Sequence, residues 1–417
     1  MHVLIMAVGS TGDVAPYTGL GARLRQAGHE VAIAAAASFA GMVTAAELEH
    51  RVLPGDPRAA QQSEANRRWQ RRGRGVRSGA EMTRLLARHM RELGDGMIAA
   101  AEQNTDVVLL SGPAYLGGAD VAEGLGLPSA GVFAAPAHPT REFPPLIGLP
   151  DLGPTGNWLA GRAVFAGMSP ILAPAIRHIR STLGLAPRSF RRAVRAHDRA
   201  RWPVRYGVSP LVVPRPHDWR PGLEMAGYFW PHHGAWTPPT TLREFLDAGP
   251  PPVAVSFGSM APRDPQLWSA LIADALRHAG LRGVVQAGWA ELEVREEHVL
   301  TVGDVPHTWL LPRVAALVHH SGAGTTAAAL RAGVPTVPVP IAADQHFWAA
   351  RQVALGVAPA RLEGKGLTAD ALAAAIRAAV GDPEHRLAAG RLAARLEGED
   401  GATEVVRLLP ELASTRP

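Results

Sequence analysis

At 417 residues, with 47% hydrophobic and 19% charged side chains, the chain has the make-up of an ordinary globular protein long enough for two domains of about 200 residues each. It carries no cysteine, which excludes disulfides and thiolate metal sites, and no zinc-type spacing of other ligands is visible. The formal charge of +5 comes from arginines scattered along the chain without a nucleic-acid motif, so a basic surface that attracts small anions is expected and a nucleic-acid partner is not.

Residues 2–8 (HVLIMAV) are an apolar run too short for a membrane span or a signal peptide, and they lead straight into the turn Gly9-Ser10-Thr11-Gly12-Asp13. They read as the first buried strand of a cytoplasmic protein without stable membrane insertion. Helical spacing over 14–26 stops at Gly28, and 30–36 is a second strand, so the chain opens as a doubly wound α/β fold. The turn lacks the full GxGxxG spacing, and no acidic residue is suitably placed after the second strand, which argues against a nicotinamide cofactor. Residues 59–79 are polar and arginine-rich and read as a surface loop or solvated excursion, followed by a helix over 80–101.

Strands are expected at 106–111 and 129–134, with helix 119–124 between them. Residues 135–145 (APAHPTREFPP) hold too much proline for regular structure. Residues 147–174, rich in glycine, proline and bulky apolar side chains, read either as the lining of a pocket or as plain core. A basic helical region over 176–202 and a strand over 208–213 complete the first half. Prolines then cluster from 214 to 252, which divides the chain into a domain at 1–230, a linker at 231–240, a domain at 241–395 and a tail at 396–417. The second half repeats the strand-turn-helix grammar, with strands at 253–257, 283–287 and 300–303, helices at 266–279, 368–380 and 383–396, and a last helix at 402–409 ahead of Pro410.

The densest stretch runs from residue 314 to 351. An apolar run, 314–318, ends in His319-His320 and the turn Ser321-Gly322-Ala323-Gly324, and an alanine-rich helix over 325–332 is closed by Gly333 and Pro335. In such a unit Gly322 and Gly324 let backbone N–H groups approach a ligand, and the helix dipole adds about half a positive charge at the same place. A phosphate is the natural guest, with His320, Ser321, Thr325 and Thr326 as further donors. A second apolar strand, 335–341, delivers Asp344 and Gln345 at its carboxyl end, the edge where open parallel sheets hold ligands. Taken singly, the glycines only close a turn and His320 is a structural histidine; side by side they read as an anion site.

Val305-Pro306-His307, Leu311-Pro312-Arg313, His319-His320-Ser321-Gly322-Ala323-Gly324-Thr325, Arg331-Ala332-Gly333-Val334-Pro335 and Asp344-Gln345 with Phe347-Trp348 resemble the nucleotide-sugar signature of the inverting GT-B glycosyltransferases of family 1, in the branch of bacterial natural-product (vancomycin-group and macrolide) and sterol enzymes. Gly9 to Tyr17 (GSTGDVAPY), Gly227-Tyr228, Trp236, Gly249-Pro250-Pro251-Pro252 and Ser256-Phe257-Gly258-Ser259-Met260 carry the likeness from residue 1 to about residue 360. The resemblance implies two Rossmann-like doubly wound domains facing across a cleft, the first binding the acceptor and the second the nucleotide sugar, with the tail returning to the first. It implies that His320, Ser321, Gly322, Gly324 and Thr325 hold a diphosphate, that Ser256, Gly258 and Ser259 meet it from the other side, that Val305 and Pro306 present backbone groups to the pyrimidine, and that Asp344 and Gln345 hold sugar hydroxyls.

By the same resemblance Asp13 is the general base, with Ser10, Thr11, His138 and Arg141 toward a hydrophobic small-molecule acceptor. The chemistry supports a carboxylate there, because an acceptor hydroxyl has a pKa far above neutrality. Asp13 also reads as a cap on the following helix, and the two roles are compatible. No DxD-type metal motif appears, in keeping with a metal-independent member, and no cofactor is implied because the nucleotide sugar is a substrate. Ala328 stands where plant-type members carry a ribose-gripping glutamate, and Asp304 lies nearest their base-stacking tryptophan. That departure points to a dTDP-deoxysugar donor, with a UDP-hexose as the other option. A non-catalytic sugar-nucleotide-binding protein and a GT-B epimerase are alternative readings.

Overall fold

The computed structural model describes residues 1–56, 76–260 and 264–414. Seven parallel strands, β1 (His2–Met6), β2 (Glu30–Ala36), β3 (Glu49–Leu53), β4 (Val107–Leu110), β5 (Ser129–Phe133), β6 (Val204–Tyr206) and β7 (Leu223–Met225), form one sheet in the order β3-β2-β1-β4-β5-β6-β7. Five more, β8 (Val253–Ser256), β9 (Gly283–Gln286), β10 (Val299–Val302), β11 (Ala316–His319) and β12 (Thr336–Pro338), form a second parallel sheet in the order β10-β9-β8-β11-β12. Both are α/β layers of the doubly wound kind, as the sequence leads one to expect.

The strands are short apolar runs because both faces of each sheet are covered by helices. Val3 to Met6 and Val107 to Leu110 are at most 1% exposed, in the register Leu4↔Val108 and Ile5↔Leu109. Strand order reverses between β1 and β4 in the first sheet and between β8 and β11 in the second, and the crevice for a ligand in such sheets lies at the carboxyl ends beside that reversal. Asp13 follows β1, Ser256 ends β8 and His320 follows β11, so all three stand at those two places.

Several elements differ from the sequence reading. Residues 208–213 are not a strand. Pro210 has no N–H to give a ladder, and the Ser209 carbonyl draws the Val212 and Val213 amides (3.0 Å each) into a turn, so β6 falls just before it. Residues 147–174, read as the lining of a pocket or plain core, are largely helical: a helix runs from Gly153 to Thr182 with Pro170 and Pro174 inside it and bends by 58° near Pro170. The basic region expected as one helix breaks at Gly184 (φ 67°) and restarts as Phe190–Arg199, capped by Ser189. The final helix, Gly401–Ser414, passes through Pro410. The arginine-rich loop expected over 59–79 lies outside the described residues up to residue 75, and Val76 already begins the helix Val76–Ala101. Among the described residues no single helix is long and apolar enough to cross a membrane.

The two sheets are joined by more than the stretch without regular elements at 226–239. Val405, Leu408 and Leu409 of the final helix are buried with Ile5, Tyr17 and Leu20 under the first sheet. Val208, Val212 and Val213 share a core with Leu330, Trp348 and Leu396 of the second half. Arg351 donates from Nε (2.9 Å) and Nη2 (2.6 Å) to the Val212 carbonyl, and the Arg331 guanidinium lies 4.3 Å from the Trp230 ring centroid.

Candidate functional site

The turn after β11 is built by strain and burial. Ser321 adopts φ 62°, a left-handed conformation that costs a non-glycine residue on the order of 1–3 kcal/mol unless its surroundings fix it. Gln352, fully buried, does the fixing. Its Nε2 donates to Ser321 Oγ (3.2 Å), Thr326 Oγ1 (3.3 Å) and the Trp348 carbonyl (3.1 Å), and its Oε1 accepts from His319 Nε2 at 2.8 Å. Gly322 then caps the helix Ala323–Ala332, whose first amides have no carbonyl partner within the helix. The His320 ring stands between two glycines. A Cβ on Gly322 would fall 2.5 Å from His320 Nε2, and one on Gly258, itself at φ 54°, would fall 3.2 Å from Cε1. Burial holds the His320 imidazole down at about 4 and therefore neutral, the Ser256 backbone working weakly the other way. Its buried Nδ1 has no partner among the described residues, an orphan of the kind a ligand oxygen satisfies.

Asp344 caps the helix Gln345–Ala354 and accepts from Trp348 Nε1 at 2.9 Å. Burial raises its carboxyl pKa, and the negative charge of Asp13 adds to the rise, which links the two domains' acids electrostatically. Gln345 Oε1 accepts from the Ile341 (2.8 Å) and Ala342 (3.0 Å) amides, leaving its amide nitrogen for another partner. Val305 is more committed than the sequence suggests. Its carbonyl accepts from Gln286 Nε2 (2.8 Å), and the Pro306 carbonyl takes the Trp309 and Leu310 amides (3.0 Å each). Ser259 is half-buried beside Gly258.

Across the cleft, Asp13 is the third residue of the helix Thr11–Gln26 and caps back onto Ser10. One carboxylate oxygen, Oδ2, accepts both the Ser10 amide (2.8 Å) and the Ser10 hydroxyl (3.0 Å). Oδ1 has no protein partner among the described residues. The cap thus occupies one oxygen of the carboxylate and leaves the other uncommitted. Burial raises the Asp13 pKa while both Ser10 bonds lower it. Gly9, at φ 135°, is required beneath it, since a Cβ there would lie 2.3 Å from Oδ2. Tyr17, one turn on, donates to the Val132 carbonyl of β5 at 2.6 Å and so pins this helix over the neighbouring strand ends. Thr11, the first residue of that helix, is half-buried.

His138 lies beyond β5 at the same edge, hydrogen-bonded through Nδ1 to the Tyr206 hydroxyl and stacked on Phe133 at 6.1 Å. Burial brings its pKa down to about 4. It lines a cavity of about 300 Å³ together with Phe165 of the helix Gly153–Thr182 and Phe190 and Val194 of the helix Phe190–Arg199. Arg141 is held elsewhere, its amide on Asp218 Oδ2 (2.8 Å) and its guanidinium 5.6 Å from the Trp158 ring. The proline-rich loop reaches the other domain, with Phe143 5.2 Å from Phe347. The sequence reading missed Gln352, whose side-chain partners lie 26 to 33 residues away, and Tyr206, which fixes His138 from 68 residues away.

Comparison with known proteins gives a consistent set of likenesses. Residues 3–144 match the Glycosyltransferase family 28 N-terminal domain and residues 290–412 the Erythromycin biosynthesis protein CIII-like, C-terminal domain. The chain is 34% identical to the Sterol 3-beta-glucosyltransferase UGT80B1 of Arabidopsis thaliana, over 99% of this chain and 69% of that one. It is 33% identical to the O-mycaminosyltylonolide 6-deoxyallosyltransferase of Streptomyces fradiae, over 100% of this chain and 98% of that one. The chain spans about two thirds of the length of such plant relatives. The crystal structure of the glycosyltransferase VinC in complex with dTDP superposes with a TM-score of 0.67 at 22% identity, over 99% of this chain and 100% of that one.

Proposed function

This chain belongs to the GT-B glycosyltransferases of family 1, and from that premise we propose that it is an inverting, metal-independent enzyme that moves a sugar from a nucleotide donor to a hydroxyl of a hydrophobic polyketide, macrolide or sterol-like aglycone. The observation that carries the reading is the pairing of a half-free carboxylate, Asp13, with an unpartnered imidazole and open helix amides at His320 to Gly324, at the two strand-order reversals. Asp13 Oδ1 takes the proton as the acceptor oxygen attacks the anomeric carbon. The diphosphate leaves toward the His320 ring, the amides at the start of Ala323–Ala332 and the positive end of that helix, where departing charge is stabilised without reorganisation. Asp344 and the free amide of Gln345 sit where the sugar hydroxyls of the donor lie.

A dTDP-deoxysugar is the favoured donor. Ala328 packs against apolar neighbours on the diphosphate helix and offers no carboxylate to a ribose 2'-hydroxyl. The Streptomyces relative is named a deoxyallosyltransferase and VinC was crystallised with dTDP, which supports the same choice. Calorimetric titration with dTDP and UDP, repeated on His320→Ala, tests the proposal. Micromolar dTDP binding that weakens at least about tenfold in the variant is expected. Tighter UDP binding moves the donor to a UDP-hexose, and binding of neither below the millimolar range removes the reading.

A further inference from the structure

The cavity beside His138 has a one-sided chemistry. Its floor is apolar, formed by Phe165, Phe190 and Val194, with Phe165 and Phe190 stacked 6.2 Å apart. Its polar lining consists of Arg162, Arg191, Arg195, His138 and Asp198. Asp198, the only acid among them, is already held by Arg220 Nε at 2.8 Å. Arg191 and Arg195 stand one turn apart on the helix Phe190–Arg199, both exposed toward solvent and without a carboxylate partner among the described residues. Arg162 rests over Trp158 at 4.7 Å, a cation–π contact that leaves its N–H groups free.

His138 adds a donor to the same wall. Tyr206 is fully buried, and among the described residues His138 Nδ1 is the one acceptor within reach of its hydroxyl proton, so we assign that proton to the bond with Nδ1. The proton of the neutral ring is then on Nε2, the nitrogen with no protein partner among the described residues. Apart from the second oxygen of Asp198, the uncommitted side-chain groups around the cavity are therefore hydrogen-bond donors, and three of those four are cations. Neutral hydroxyls leave such a set undersatisfied, whereas a carboxylate accepts from several donors at once, bidentately from a guanidinium.

We propose that the acceptor of this enzyme is an apolar ring compound carrying a carboxylate, and that Arg191 and Arg195 select it. The inference rests on reading the first domain as the acceptor side. It distinguishes this chain from a pocket that takes any hydrophobic alcohol, because the floor accounts for ring binding and the rim for an anion on that ring. A carboxylate seated at the rim leaves the ring against Phe165 and Phe190, with the His138 edge on the side of the strand ends that carry Asp13.

Matched probes of known structure separate the charge from the ring. Hydroxynaphthoate and its methyl ester are titrated by intrinsic fluorescence into the wild-type chain and into the Arg191→Gln/Arg195→Gln variant, at low and high salt, with dTDP titrated into the same samples. The wild type is expected to bind the acid at least about tenfold more tightly than the ester, less so at high salt. The double variant is expected to bind the two alike, with dTDP affinity unchanged. Equal or tighter ester binding by the wild type, an acid preference that survives in the double variant, or binding of neither probe overturns the proposal. Loss of dTDP binding by the wild type instead strikes the transferase reading itself, so the two failures are distinguishable.

Discussion

Replacing Gln352 by leucine tests whether the anion turn is held from behind. The side chain is 0% exposed and serves His319, Ser321, Thr326 and Trp348. Leucine fills similar space but offers no polar atom. The His319 Nε2–H is then left buried with no acceptor, beside an Nδ1 that is already unpartnered, at about 2 kcal/mol, and the lost donations add about 1 kcal/mol. Part returns through the apolar surface of leucine, so about 2–3 kcal/mol is the expected net loss. For a domain of this size that lowers the thermal midpoint by about 4–12 °C. Released from its tether, Ser321 relaxes from φ 62° and the amides of residues 322 to 324 move, so dTDP affinity is expected to fall about tenfold. Differential scanning fluorimetry and calorimetric dTDP titration read both effects. A variant within 1 °C of wild type, roughly the resolution implied by such small free-energy changes, and with unchanged dTDP affinity would refute the account of the turn.

Gly322→Ala places a Cβ 2.5 Å from Nε2 of the buried His320 ring, so the ring must shift; nucleotide binding is expected to weaken and the urea midpoint to fall, and wild-type values of both contradict the packing. Ser10→Ala removes a bond that favours ionised Asp13, so the acid limb of the kcat/KM profile moves to higher pH, and a shift the other way contradicts the base assignment. His138, His307 and His320 are lowered by burial to about 4 and His319 to about 3, all below the ordinary histidine value of 6.5. Their neutral forms are favoured by folding, so stability is full above pH 6.5 and falls as pH drops toward 4; urea midpoints measured across that window, with a steady decline expected, check the sign.

The parts of the fold legible in the sequence are those whose physics is local. Strands β1, β4, β8 and β11 are continuous apolar runs, and the turns that follow β1 and β11 need glycine where a side chain would collide with Asp13 or His320. Strands β3, β6 and β7 escaped because they are short and carry charged residues such as Glu49, Arg51, Arg205 and Glu224. The helix Gly153–Thr182 escaped because Pro170 and Pro174 read as breakers where tertiary packing tolerates a bend. Asp13, His320 and Asp344 were legible as a motif. Gln352 was not, because a buried glutamine 31 residues from Ser321 announces itself only through the fold. Arg141 illustrates the reverse, a polar loop residue whose exposed side chain lies against Trp158.

The most direct test of the central claim is the turnover of Asp13→Asn with a nucleotide sugar and an aglycone on which the wild type is active. Asparagine keeps an oxygen for the Ser10 amide, so the helix cap survives while the base is lost. A fall in kcat of about 10²–10⁴-fold is expected, with dTDP affinity within about twofold of wild type. Turnover close to that of the wild type would contradict it.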